Sequence, residues 1–445
     1  MSTDSWWGAA LLHGGEDDAV WARGAEEITH GRLRAEVARL AELFRLQGIR
    51  GGDVVALQGT ASFTQLWAMF ALWSLGTQVV HLGPHVTRAE RAALFELCGP
   101  RHHVVLGGRR VARGAFADEC EVAVLRLPSG RRARTGHCLV QFSSGTTGGM
   151  KAVGRTPESL LNEVHRFAAI DGMPGRGERV LVLDPITHSF SLVGGVLHAL
   201  NARAVLMFSH ETISDADVVL GTPRHFERIA AARREPSRLR LAVSSGEALP
   251  QRVYDTFADR FGVHIGQAYG TTETGIVATD LRGEHGPRTV GVPLPGVATR
   301  VRHGVLEVLV AQSPYLYSDD DRWQGGGWLS TQDLVTLDPR TGAVRLRGRA
   351  GAGADPQVDL LEIEAVLRGH RLVSDVVVLG ADVVEAHVEG PAELTRDELT
   401  SWCRWLLGDV GVPSRFHVTS RLPATANGKT LRSRELLLAH LTRAS

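Results

Sequence analysis

The chain has 445 residues, 43% of them apolar and 22% charged, and its 49 basic and 49 acidic side chains leave no formal net charge. That length exceeds one ordinary core and predicts two or three folding units. The balanced charge provides no global basic field, which disfavours bulk nucleic-acid binding, and no apolar run is long enough to span a membrane.

The opening residues, MSTDSWWGAALLHGGEDD, are acidic and lack the basic and apolar regions of a secretory leader, so a cytoplasmic location is expected. From about residue 30 to 275, helical patterns alternate with short apolar runs. Leu33, Val37, Leu40 and Phe44 recur at helical spacing. The strand VVALQG follows, then the buried helix SFTQLWAMFALWSLG and the strand TQVVHLG. Further strands are CLVQFSS, RVLVLD, RAVLMF, DVVLG and LRLAVSS. Near-continuous apolar strands between helices predict layered α/β structure with largely parallel sheets. Over about 288–347 the pattern turns strand-rich and glycine-punctuated, the mark of a small β subdomain. The small-residue stretch RAGAGADPQ is a candidate hinge. After it, the helix LLEIEAVLRG, the strands SDVVVLG and DVVEAHVEG and the helix RDELTSWCRWLLG form a small α+β unit. The predicted fold is therefore α/β: a large N-terminal domain of layered α/β subdomains plus a small β subdomain, hinged to a small α+β C-terminal domain. Cys98, Cys120, Cys138 and Cys403 are widely spaced with no CxxC pair, which predicts neither a disulfide framework nor a zinc site. Cys138 and Cys403 stand in apolar runs and are expected to be buried thiols.

Of the 49 basic residues only two are lysine, Lys151 and Lys429. Codon bias accounts for the arginines but not for these two exceptions. Lysine is a compact point charge on a flexible stem and suits a phosphate or a reacting oxygen, where arginine's planar fork is a poor substitute. Both lysines lie in glycine-containing loops. Lys151 closes the run Ser143, Ser144, Gly145, Thr146, Thr147, Gly148, Gly149, Met150, which follows an apolar strand. Small and hydroxylated residues there let backbone N–H groups approach an anion. The run lacks the Walker pattern, which disfavours P-loop NTPase chemistry. The bland alternative is a flexible surface turn.

SSGTTGGMK resembles the phosphate loop of the adenylate-forming superfamily, which includes acyl-CoA synthetases, luciferases and the adenylation domains of peptide synthetases. Met150 and Ala152 stand where that family usually has proline and glycine. QAYGTTETG resembles its adenine and magnesium motif. The resemblance implies that Tyr269, followed by Gly270, stacks on adenine, that Thr272 contacts the α-phosphate and that Glu273 helps to hold Mg²⁺. SSGEALP resembles the segment flanking adenine, with Gly246 and Glu247. GGWLSTQDL resembles the GWxxTGD motif, in which Asp333 accepts the ribose hydroxyls and Gln332 replaces the usual glycine. LRGR resembles the hinge, placing Arg349 near the ribose. PATANGKTLR resembles the motif that carries the adenylation lysine, here Lys429. DPITHSFSLVGG resembles the acid-pocket segment, with His188 and Ser191 as candidate walls together with Ala268. No aspartate occurs among Thr187, His188, Ser189, Phe190 and Ser191, so the resemblance implies a neutral-tailed carboxylic acid rather than an α-amino acid.

The resemblance covers nearly the whole chain. It implies residues 1–348 as an adenylation core and 349–445 as a mobile C-terminal domain, with ATP and Mg²⁺ as cofactors. The implied reaction is activation of a small aryl or acyl carboxylic acid, followed by transfer to CoA or a carrier-protein thiol. After Arg349 the segment is shorter than the family pattern, and Pro356 falls where a strand would need an N–H donor. This keeps an amine acceptor, or nitrite-dependent diazotisation of an aryl amine, open as the second step. A reading of another class is a nucleotide-binding scaffold without chemistry, against which the retained Lys429 and Glu273 argue.

Overall fold

The computed structural model describes residues 6–107, 116–144, 150–208, 213–232, 238–317, 322–323, 326–350, 358–380, 383–408, 411–424 and 430–444. Two large sheets dominate. The six-stranded sheet runs Glu121–Arg126, His102–Gly107, Val54–Gly59, Gln78–Leu82, Leu139–Ser144, Met150–Arg155 in space, parallel at its centre and antiparallel at both edges. The nine-stranded sheet has a parallel centre of Val20–Arg23, Val205–Phe208, Arg179–Val182, Val218–Gly221, Leu241–Ser245 and Ile265–Thr271, with antiparallel additions at each edge. The parallel strands Val54–Gly59, Gln78–Leu82 and Val218–Gly221 are buried from end to end, as strands covered on both faces are.

One continuous core joins the sheets. Val55, Leu57, Val79 and Leu139 from the first meet Val180, Val182, Leu206, Val218 and Leu220 from the second through shared helices. Helix Phe63–Ser74, capped by Ser62 accepting from the Gln65 N–H, is buried at every position to Trp73. Its sequence is apolar all round, which suits a central helix rather than a surface one. Helix His30–Leu46 instead buries one stripe, Leu33, Val37, Leu40, Ala41 and Phe44.

A four-stranded antiparallel sheet, Thr299–Arg302, Val305–Leu309, Trp328–Leu337 and Val344–Arg349, matches the β subdomain expected there. Beyond Arg349, strands Asp375–Gly380, Val384–Glu389 and Arg415–Thr419 form a three-stranded sheet. Helices Leu360–Arg368 and Arg396–Leu407 pack on it around Ile363, Leu367, Val376, Val388 and Cys403. Strand Arg415–Thr419 and helix Arg434–Ala444 complete this unit, and neither was expected from the sequence pattern. Cys98, Cys138 and Cys403 are buried, Cys120 is partly so, and all four are free thiols. Among the described residues no helix is long and apolar enough to cross a membrane.

Candidate active site

The candidate site residues are carried by strands of the two large sheets and of the β subdomain. Strands Leu139–Ser144 and Met150–Arg155 pair antiparallel as far as Ser144 opposite Met150, with Lys151 opposite Ser143. Gly145, Thr146, Thr147 and Gly148 lie outside the described residues, as do Lys429 and the post-hinge residues 351–357 with Pro356.

The strand that leaves the phosphate loop ends at Arg155, a buried guanidinium that ties three site segments together. Its Nη2 donates to Glu163 Oε2 at 2.7 Å, and its Nη1 lies 3.5 Å from Ser189 Oγ in the acid-pocket segment. The other oxygen of Glu163 accepts the Ile276 N–H at 3.0 Å, beside the adenine motif. Both partners of the ion pair are buried, with 4% and 3% of their side chains exposed. Losing one would strand the other charge away from water.

The adenine motif is a bulged hairpin. Tyr269 pairs with Ala278 and Gly270 with Ile276, with a register shift between them. A Cβ on Gly270 would stand 2.2 Å from the Gly275 carbonyl oxygen, so only glycine fits so close to the opposing backbone. Thr271 and Thr274 exchange N–H to Oγ1 hydrogen bonds of 3.1 and 3.2 Å, which fixes the tip carrying Thr272 and Glu273. The Glu273 carboxylate lies 3.6 Å from the Arg322 guanidinium. Arg322 in turn sits over the Tyr315 ring at 4.7 Å, and Tyr315 bridges to Val153 on the phosphate strand. The acidic tip and the phosphate strand therefore face one space.

Tyr269 donates its hydroxyl to Asp333 Oδ2 at 2.7 Å, and Arg349 Nε lies 3.2 Å from Asp333 Oδ1. Arg349 also donates to the Thr331 carbonyl at 3.0 Å. The three residues that the motifs assign to adenine and ribose are thus in direct contact. Burial pushes the Asp333 carboxyl above its ordinary range, against the pull of the Arg349 guanidinium and the Tyr269 hydroxyl. Burial, and then the charge of Asp333, push the Tyr269 hydroxyl well up, so it stays protonated and donates. Gln332, before Asp333, has φ +62°, and is one of three non-glycine residues in this region of backbone space among the described residues. The position that usually carries glycine therefore keeps the glycine conformation here with a side chain attached, at a cost of about 1 kcal/mol. Hydrogen bonds from the Ala350 N–H to the Gln332 carbonyl (2.7 Å) and from the Asp333 N–H to Thr331 Oγ1 (3.1 Å) hold it.

In the acid-pocket segment Ser191 is buried on a wide helical turn, Phe190–Leu197, and Ala268 is buried beside Ser245. His188 Nδ1 contacts Asp184 Oδ2. An aspartate does adjoin the histidine, one turn before the five positions inspected for it in the sequence, and it is engaged by the imidazole. Gln141 Nε2 donates to the Thr187 carbonyl at 2.7 Å and fixes the same turn. Gly246, at φ +88°, ends the neighbouring strand and is followed by a half-buried Glu247.

Sequence reasoning missed Arg155, Glu163, Arg322 and Asp184. Only Asp184 left a local signal, its spacing of four from His188. The Glu163 contacts span 8 and 113 positions.

Another group has ligand chemistry. Glu385, His387 and His417 bring donor atoms within 4.8 Å of one another in the C-terminal sheet. The Glu385 oxygens already accept from Arg434 Nε and Nη2 (both 2.9 Å) and from Arg415 Nη1 (2.7 Å). The Arg434 hydrogen bonds lead in holding that carboxyl down to about 2. Two guanidiniums on the carboxylate disfavour a dication there, and the cluster reads as a structural brace.

The C-terminal unit faces the rest of the chain across a groove. Ala424 bridges to Thr430, and the Leu431 N–H donates to the Pro423 carbonyl at 2.9 Å, so described residues pair on both sides of 425–429. Arg432 holds Glu364 with two hydrogen bonds of 2.7 and 2.9 Å. A groove of about 1180 Å³ between the two units is lined by Glu247 and Gln267 on one side and by Ala424, Thr430 and Arg432 on the other.

Comparison with known proteins agrees with this assembly. The family model for AMP-binding enzymes matches residues 10–308, and the model for the AMP-binding enzyme C-terminal domain matches 362–429. The chain is similar to a feruloyl-CoA synthase of an Amycolatopsis species, 27% identical, with 92% of this chain and 93% of that protein covered. It is 24% identical to the 2-succinylbenzoate–CoA ligase of Bacillus subtilis, with 92% of each covered. Its fold matches ATP-bound MatB from Rhodopseudomonas palustris with a TM-score of 0.81 at 20% identity, covering 98% of this chain and 99% of that one. With two-thirds of its length matched by the family model and the remaining unit matched by its C-terminal companion, the chain belongs to the AMP-binding enzymes.

Proposed function

We propose that this chain uses ATP to activate a carboxylic acid as an acyl-adenylate and then passes the acyl group to a thiol, that of CoA or a carrier protein. The observation that carries this is the contact of Tyr269, Asp333 and Arg349 beside a hairpin that presents Thr272 and Glu273 to the phosphate strand. An aromatic ring, a carboxylate with two acceptor oxygens and a line of hydroxyl and N–H donors match adenine, ribose and phosphate in that order. Lys151, together with Ser143, Ser144, Gly145, Thr146, Thr147 and Gly148, takes the β- and γ-phosphates. Gly246 and Glu247 flank the base.

In the chemical step a carboxylate oxygen attacks the α-phosphorus as the bond to pyrophosphate breaks. Two anions must meet, and charge grows on the phosphoryl oxygens. Lys429 offsets that repulsion from one side and Thr272 donates from the other. Mg²⁺ would neutralise phosphate charge, held by Glu273 and by phosphate oxygens, since this ion commonly takes one or two carboxylates and completes its shell from substrate. A single carboxylate at the hairpin tip fits that donor set once Arg322 turns to the phosphates.

The acid lies against His188, Ser191 and Ala268. Asp184 is the only acidic residue of the segment 184–195 and is engaged by His188, which favours a neutral-tailed acid. The feruloyl and succinylbenzoyl names of the relatives favour an aryl acid. The shortened stretch after Arg349 favours, as a second reading, an amine acceptor that gives an amide. The test is acid-dependent pyrophosphate release over a panel of aryl, short-chain, fatty and amino acids, with nitrite included. CoA or an aryl amine is then added to the acid that responds. An aryl acid with CoA is the expected pair. Release with nitrite alone would move the chain to diazotisation, and no release with ATP bound would leave a scaffold.

A further inference from the structure

The contacts across the seam between the C-terminal unit and the rest of the chain fall into two classes. One class sits at the pivot. Arg345 Nη2 donates to Asp359 Oδ2 at 2.9 Å, and these residues flank the hinge only 14 positions apart. Rotation about the hinge can leave such a pair close. Among the described residues an outlying pair, Arg288 Nη1 at 3.7 Å from Glu362 Oε1, spans 74 positions, and the contacts most distant in sequence form one cluster, the second class. Arg224 Nη2 donates to Thr430 Oγ1 at 2.7 Å and to Asp375 Oδ2 at 3.1 Å, across 206 and 151 positions.

Arg224 opens helix Pro223–Ala231, which follows a central strand of the nine-stranded sheet. It belongs to the rigid part of the molecule. Thr430 and Asp375 belong to the part that turns. Thr430 donates its own hydroxyl to Asp375 Oδ2 at 2.6 Å, and Arg368 Nη2 donates to Asp375 Oδ1 at 3.1 Å. Burial works against the Asp375 carboxylate, yet Arg368 and Thr430 keep its pKa below the ordinary range, so it stays charged. Thr430 directly follows Lys429 and closes the bridge to Ala424.

We propose that Arg224 is a positioning residue for the adenylation step: a latch that holds Thr430, the residue after Lys429, against the rest of the chain and releases it when the C-terminal unit turns. The inference rests on the function proposed above. The strength of the contact suits the role. The Arg224 side chain is 44% exposed and that of Asp375 18%, so solvent weakens the pair. A latch broken once per turnover has to be weak. Removing it shifts the balance of two domain positions by a few-fold and leaves the nucleotide grip intact.

The test uses the full chain as wild type, Arg224→Ala, Arg224→Lys and Arg224→Glu. It reads acid-dependent exchange of pyrophosphate into ATP, the KM for ATP and the melting temperature. The expected result for Arg224→Ala is a kcat for exchange lower by about three- to tenfold, with KM for ATP and melting temperature unchanged. Arg224→Lys should recover more than half of the loss, and Arg224→Glu should be worse than Arg224→Ala. An unchanged kcat, or a fall matched by lost thermal stability and not rescued by lysine, overturns the latch. Small-angle scattering with MgATP gives a second reading that needs no acid. Arg224→Glu should have a larger radius of gyration than wild type, and equal radii overturn the proposal. If the wild type exchanges pyrophosphate with no acid, the functional reading fails, and the scattering result alone decides the latch.

Discussion

The Arg155–Glu163 brace behind the nucleotide cleft and the pairs of the domain seam are the same arginine–carboxylate chemistry and differ in burial, whereas the Arg349–Asp333 pair, 41% and 15% exposed, is as open as the seam. In the brace, Arg155 and Glu163 are almost fully enclosed, and Glu163 also accepts a backbone N–H from the adenine hairpin. At the seam, Arg224 and Arg345 are 44% and 35% exposed. A buried pair that loses a partner costs several kcal/mol, whereas an exposed pair is worth at most about 1 kcal/mol. The same chemistry therefore gives a fixed grip in one place and a reversible contact in the other. On this account ATP is held by the part that stays still, and the reacting lysine arrives with the part that moves.

The comparison is broken most forcefully at Glu163. Glu163→Ala should lower unfolding stability by about 3–5 kcal/mol, seen as a shift in the urea midpoint. Arg345→Ala at the seam should lower it by less than about 1 kcal/mol. Equal shifts would mean that burial does not separate the two regions.

A smaller effect is expected at the ribose carboxylate. Asp333→Asn keeps an acceptor for the Tyr269 hydroxyl and removes one for the ribose. The KM for ATP should rise about tenfold, with kcat for pyrophosphate release within about threefold of wild type. A fall in kcat without a change in KM would place Asp333 in the chemical step instead.

The smallest effect concerns Gln332. Replacing it with glycine relieves about 1 kcal/mol of positive-φ strain but frees the unfolded chain by nearly as much, so the net gain should be at most about 0.5 kcal/mol. Thermal melting checks it. A loss of stability would mean that the Gln332 side chain contributes more than its backbone strain costs.

Much of this was legible in the sequence, and the boundary has a physical basis. Tyr269, Glu273 and Asp333 could be named in advance because their short, glycine-bounded segments resemble the nucleotide motifs of the family. The continuous apolar strands announced a parallel sheet buried on both faces. Strands Val20–Arg23 and Glu27–Thr29 went unseen because they are short and only partly buried, and their place is set by Val205–Phe208, far along the chain. The Arg155–Glu163–Ile276 brace was unreadable because its members are brought together only by the fold. Gln332 is the reverse case. The motif flagged it as out of place, and the backbone keeps the glycine conformation regardless, held by the Ala350 N–H on the Gln332 carbonyl and the Asp333 N–H on Thr331 Oγ1.

The division of labour between the two regions is tested most directly by Lys429→Ala, measured for ATP binding by calorimetry and for acid-dependent pyrophosphate release. The expected result is an ATP Kd within about twofold of wild type and a release rate lower by about 10²–10³-fold, the range for loss of one charge-stabilising donor. A release rate that survives the substitution, or an ATP affinity that falls in step with it, would contradict the assignment of the reaction to a lysine carried by the moving unit.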